Sequence, residues 1–78
     1  MNRLEFAVEY SFDAESRVFI AALPCLNHVS SFGKTFAEAE HNLMEAALAY
    51  LESLRQDGLP LPQVEAPTGT VLIVELAA

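Results

Sequence analysis

The first part of the chain alternates between apolar and polar positions. The apolar side of this alternation consists of Leu4, Phe6, Val8, Tyr10 and Phe12. A period of two is typical of a half-buried β-strand, so we predict a strand over residues 4–12. The polar residues 13–16 predict a turn, and residues 17–23 form a second apolar run that Pro24 ends. The two runs predict a hairpin.

The next segments predict a short third strand and one long helix. Residues 27–32 are centred on Val29, and Gly33 ends that strand. At 100° per residue, residues 36–57 form an amphipathic helix. Its apolar side contains Phe36, Ala39, Leu43, Ala46, Ala47, Tyr50, Leu51 and Leu54, with Met44 and Leu48 widening it. Glu40 interrupts this apolar side, and we expect its carboxylate to reach solvent.

The two ends of this helix are encoded locally. Thr35 is predicted as the N-cap, and Glu38 three residues later is spaced to accept a bond from the Thr35 N–H, which would complete a capping box. Gly58 is predicted to adopt the left-handed conformation that ends a helix. Pro60 and Pro62 then prevent its continuation.

Residues 70–76 are almost entirely apolar and predict a last strand. The predicted fold class is therefore α+β with the order β-β-β-α-β. It consists of a three-stranded antiparallel meander, a fourth strand, and one helix packed on one face of the sheet. A right-handed crossover predicts that the fourth strand lies beside the first and parallel to it. The link 63–69 is too short to separate two domains, so we expect a single domain over residues 1–78.

The apolar content is high for the size of the chain. Hydrophobic residues make up 53% of the 78 residues. One helix covers only one sheet face, so we expect part of the surplus to pack against another subunit or a partner. The predicted interface residues are Met44, Leu48, Val71 and Ile73. Two-fold pairing is the commonest arrangement of soluble oligomers, which favours a homodimer or a higher oligomer.

The net charge is −7, from eleven acidic and four basic residues. Phosphate backbones are bound by clusters of Lys and Arg, whereas the basic residues here are scattered, so we expect no direct nucleic-acid binding. No apolar run is long enough to span a bilayer, and the N-terminus lacks a signal-peptide pattern. The single Cys25 fits a reducing compartment. We therefore expect a cytoplasmic protein without membrane association.

Two groups of residues carry candidate chemistry. Glu5, Glu9, Asp13 and Glu15 surround the first strand and its turn, and paired carboxylates can hold a divalent metal for nuclease chemistry. A solvated strand face explains them better, because a half-exposed strand shows the same alternation of polar and apolar residues. Cys25, His28 and His41 are soft-metal ligands, but their spacing lacks the paired ligands of a structural zinc site. No cofactor, metal site or catalytic residue is predicted.

The segment from Gly33 to Pro62 resembles the HicB-like antitoxin domain. That family's pattern reads roughly Gly-Asp-Thr-Leu-Glu-Glu-Ala-Leu, followed by a helix closing Tyr-Leu-Glu-x-Leu, then Asp-Gly and Pro-x-Pro. The matching residues here are Gly33, Thr35, Glu38, Ala39, Tyr50, Leu51, Glu52, Leu54, Asp57, Gly58, Pro60 and Pro62. Phe19 and Ala21 match its Tyr-x-Ala upstream. Lys34, Ala37 and Glu40 depart from the pattern, and the family's Pro-Gly-Cys turn is missing near Cys25.

The resemblance implies a partial ribonuclease-H-like fold and a role in a toxin–antitoxin system. Such antitoxins mask a small, basic, RNA-cleaving HicA-type toxin, and many carry a C-terminal DNA-binding module. This sequence ends at Ala78, directly after the last predicted strand, so we expect no DNA-binding extension. Three functions stay open: a protein-binding antitoxin or stand-alone relative, an oligomeric structural or small-ligand-binding module, and a metal-dependent nuclease.

Overall fold

A computed structural model describes residues 2–62, 69 and 71–76. Its strands and helix follow the order β1 Asn2–Ala7, β2 Glu9–Asp13, β3 Val18–Leu23, β4 Val29–Gly33, α1 Phe36–Gln56 and β5 Val71–Leu76. The α+β class is confirmed, and the predicted order holds except that the first strand is interrupted at Val8. The predicted strand over 27–32 starts later, because Asn27 and His28 adopt left-handed backbone conformations with φ of 51° and 54°.

The direction of the last strand differs from the prediction. Strands β2, β3 and β4 form the predicted antiparallel meander. Strand β5 pairs with β1, as expected, but it runs antiparallel, with Ala7 opposite Val71 and Leu4 opposite Val74. The predicted parallel arrangement is therefore wrong. It assumed a direct right-handed crossover, whereas an apolar strand such as β5 can pair in either direction.

One face of the strands packs against α1 and forms the core. The buried residues on the helix are Ala39, Leu43, Ala47 and Leu51, at the spacing of one helical stripe. They pack with Phe6 of β1, Ala21 and Leu23 of β3, Leu26, and Leu72 and Val74 of β5. Since β1, β3 and β5 contribute to one cluster, the helix covers the same side of both strand groups. This arrangement leaves their other side without a covering element among the described residues.

Local hydrogen bonds define both ends of α1. Thr35 Oγ1 accepts the Glu38 N–H at 3.0 Å, which confirms the N-cap. The reciprocal bond differs from the prediction, because Glu38 Oε1 accepts the Lys34 N–H at 3.5 Å and not that of Thr35. At the other end, the Gly58 N–H donates to the Arg55 carbonyl and the Leu59 N–H donates to the Leu54 carbonyl. With a Gly58 φ of 71°, these bonds form a Schellman motif.

Gly33 is required by a close approach between β4 and the first turns of α1. A Cβ at this position would lie 2.6 Å from the Ala39 backbone nitrogen and 2.8 Å from Glu38 Cβ. No side chain fits at these distances without movement of the helix. Gly33 therefore does more than end a strand, because it sets how closely the helix docks on the sheet.

Candidate interaction surface

The side of the sheet opposite α1 exposes several large apolar side chains. Because side chains alternate along a strand, those of Val18, Ile20, Phe32, Val71 and Ile73 point away from the core face. We call this side the uncovered face. Phe32 is 64% exposed and Ile73 is 40% exposed. Exposed apolar patches of this kind on a soluble protein indicate a surface that associates with another molecule.

The uncovered face has two apolar parts. On the meander, Ile20 of β3 lies directly opposite Phe32 of β4. Together with Val18, Asp13 and Ser16, they line a shallow groove of about 280 Å³. The second part consists of Val71 and Ile73 on β5, where Ile73 lies opposite Glu5 of β1. The first part contains an exposed aromatic ring, that of Phe32, whereas the second part is aliphatic.

Acidic side chains border both apolar parts. Glu9 and Asp13 lie at outward positions of β2, next to β3. Glu5 and Glu75 lie at outward positions of β1 and β5. Arg3 offsets part of this charge, because its Nη2 lies 3.7 Å from Glu5 Oε1. The uncovered face therefore combines apolar centres with a border that is mainly negative.

Asp13 is fixed by the turn that follows β2. Its Oδ2 accepts a 2.7 Å hydrogen bond from Ser16 Oγ, and its Oδ1 accepts one of 3.1 Å from the Glu15 N–H. The bond from Ser16, followed by that from Glu15, lowers the pKa of the Asp13 carboxyl from its ordinary value. Both bonds favour the charged form of the carboxylate. These bonds give it a turn-forming role at the edge of the groove.

The other predicted chemical groups lie apart from one another. Cys25 is exposed in the turn after β3, and His41 Nε2 lies 3.4 Å from Glu45 Oε1 on the exposed side of α1. Within the described ranges, no three His, Cys, Asp or Glu side chains are grouped in a way that could hold a metal ion. The carboxylates of Glu5, Glu9 and Asp13 share the solvated strand side, which was the simpler explanation of their pattern.

The four predicted interface residues lie on two different sides of the molecule. Met44 and Leu48 are half-buried on α1 and pack against the core. Met44 lines a groove of about 360 Å³ with Leu72, Glu40, His41 and Ala37. Val71 and Ile73 point the other way from Leu72, because neighbouring residues of a strand alternate. The structure does not bring the two pairs together into one patch.

Two features were not assigned to a site from the sequence. Ile20 and Phe32 become neighbours only through the pairing of β3 with β4, although the outward position of Ile20 follows from the alternation in its strand. Glu40 was expected to reach solvent. Its Oε2 instead accepts a 3.2 Å hydrogen bond from the Tyr10 hydroxyl, from β2. No local signal in the sequence joins these two residues.

Comparisons with known proteins find a similar solved structure but no matching sequence family. No protein-family model matches the sequence, and no curated protein matches it either.

Within the part of the chain that the structure describes, no helix has the length and apolar character needed to cross a membrane.

A crystal structure of the N-terminal domain of Burkholderia pseudomallei antitoxin HicB is similar, with a TM-score of 0.67 and 22% sequence identity. The match covers 96% of this chain and 100% of that one. At 22% identity, the match shows that the two chains share a fold. The suspected resemblance is therefore confirmed as a shared fold: this chain has the fold of the N-terminal domain of antitoxin HicB.

Proposed function

We propose that this chain is an antitoxin-like domain that acts by binding a small basic protein, of the RNA-cleaving HicA type. The observation that carries the proposal is the fold match to an antitoxin domain over 96% of this chain and the whole of the other. The proposed role is non-enzymatic, in the cytoplasm, and requires no cofactor.

The charge of the chain supports a basic partner. A net charge of −7 produces a field that attracts a positively charged protein and accelerates its association. The same field disfavours direct contact with nucleic-acid phosphates. Masking an RNA-binding toxin fits this charge, because such a toxin needs a positive surface to bind its own substrate.

The proposal can be tested by co-expression with a small basic protein encoded next to this chain. We expect the two to co-purify and the complex to cleave RNA more slowly than the basic protein alone. The control is the basic protein mixed with an unrelated acidic protein of similar size. If no complex forms, or if RNA cleavage is unchanged in the complex, the proposed function is wrong.

The homodimer remains part of the proposal. Its best-supported contact is Val71 and Ile73 on the uncovered face, since these residues are accessible at outward positions of β5. Met44 and Leu48 would belong to a separate contact, because they flank the helix. A dimer without any basic partner would instead favour the structural or small-ligand-binding module.

A further inference from the structure

We infer that a basic partner docks on the meander part of the uncovered face, with Phe32 as the apolar anchor and Glu9 and Asp13 as its charged border. The inference rests on the proposed function and assigns a surface to it. That surface consists of Val18, Ile20 and Phe32, and it is distinct from the β5 part that we assign to self-association.

An aromatic side chain is exposed on the pair of strands β3 and β4. Phe32 is 64% exposed although it lies directly opposite Ile20 in the ladder between β3 and β4. Aromatic residues that fill a pocket of the partner dominate the binding energy of many interfaces. Because the strand pair fixes its backbone, Phe32 loses little conformational freedom on binding.

A partner could approach β4 either along its edge or through the side chains of the uncovered face. Among the described strands, β4 pairs only with β3, so it forms an edge of the meander. Such edges invite strand addition through their free backbone groups. Here Asn42 Nδ2 donates a 2.9 Å hydrogen bond to the Phe32 carbonyl oxygen. Asn42 thus occupies a backbone acceptor at Phe32, and this favours docking on the side chains of the face over strand addition.

The charge around this part favours a basic protein as the molecule that binds there. Glu9 and Asp13 lie on β2 beside the apolar centre, and Glu15 is exposed in the turn that follows. Two copies of this part packed face to face would bring like charges together, whereas Arg3 offsets the Glu5 charge beside the β5 part. A partner with Lys or Arg around an apolar pocket would pair with them instead. The expected occupant is therefore a basic protein and not a second copy of this chain.

The test measures the affinity and the association rate of purified variants for a small basic protein encoded next to this chain, by surface plasmon resonance. We expect Phe32→Ser to weaken binding at least tenfold. Glu9→Lys is expected to slow association and to reduce the salt dependence of binding. Leu59→Ser and Glu52→Lys are matched controls, because Leu59 is 51% exposed and both residues lie outside the uncovered face. These controls should change the affinity less than twofold.

Folding and location are checked separately. Circular dichroism and thermal melting test whether each variant is folded, and amide shifts of the labelled wild type on partner addition locate the contact without any mutation. Shifts on β3 and β4 support the inference, whereas shifts confined to α1 overturn it. If the wild type binds the partner and folded Phe32→Ser binds it with the same affinity, the proposed surface is wrong but the proposed function stands. Absence of wild-type binding overturns both.

Discussion

The Tyr10 hydroxyl donates a 3.2 Å hydrogen bond to Glu40 Oε2 and so joins β2 to the second turn of α1. The Tyr10 ring also meets Phe36 edge-on, with ring centroids 5.2 Å apart. Phe36 in turn contacts Phe19 of β3 at 4.2 Å between centroids. Glu40 therefore has a structural reason to interrupt the apolar side of the helix, because it fixes the start of α1 on the meander.

Removal of this hydrogen bond should destabilise the fold. We expect Tyr10→Phe to lower the free energy of unfolding by about 1 kcal/mol, since the ring packing is kept and one hydrogen bond to a half-buried carboxylate is lost. Urea denaturation measures the difference. The control Tyr50→Phe removes the hydroxyl of a tyrosine on α1. An unchanged midpoint for Tyr10→Phe would show that the bond contributes nothing to stability.

The same contact predicts a loss of stability at alkaline pH. Burial, and then the charge of Glu40, raise the pKa of Tyr10 above 10.0. Because the folded protein holds this proton more tightly than the unfolded chain, the stabilisation is present below pH 10.0 and is lost as the pH rises through the folded-state pKa. We expect stability to fall less steeply above pH 10 in Tyr10→Phe, as measured by urea melts in a pH series. Parallel pH curves for the two proteins would contradict this.

Gly33→Ala should weaken the docking of the helix. The added methyl would lie 2.6 Å from the Ala39 nitrogen, and a backbone atom cannot move away without a shift of α1. We expect a loss of roughly 1–3 kcal/mol in unfolding free energy. Ser30→Ala is the control, because Ser30 is exposed on the same strand. Equal stabilities of the two variants would mean that the helix adjusts freely.

The N-cap of α1 can be tested through its hydroxyl. Thr35→Ala removes the acceptor of the Glu38 N–H and should cost about 1 kcal/mol. Thr35→Ser keeps the hydroxyl and should recover most of that loss. Thermal melts followed by far-ultraviolet circular dichroism give both values. If the serine variant were as unstable as the alanine variant, the methyl group and not the cap would be responsible.

Light scattering tests self-association through β5. We expect the wild type to have at least twice the 8.5 kDa mass of one chain at low micromolar concentration. Ile73→Lys should shift the protein toward monomer, because a charge replaces an apolar contact. Gln56→Lys, at the exposed end of α1, should leave the mass unchanged. A wild-type mass near that of one chain would exclude the dimer.

The sequence determined the features that depend on neighbouring residues. Three features follow from short-range geometry and were predicted correctly. They are the alternation of apolar and polar residues around Phe6, the N-cap at Thr35 and the left-handed conformation of Gly58. The apolar stripe of α1 follows from helical periodicity in the same way. These features were sufficient to give the α+β class and the number of helices in the described chain.

The tertiary structure decided whatever depends on residues that meet across the chain. The antiparallel direction of β5 was not encoded in its own residues, because an apolar strand pairs in either direction. The Tyr10–Glu40 bond and the Ile20–Phe32 pair join residues far apart in sequence. Packing likewise decided that Met44 lies against the core on α1 and that Ile73 lies on the uncovered face. Local patterns specify elements, whereas surfaces arise only when the strands pair and the helix covers one of their two faces.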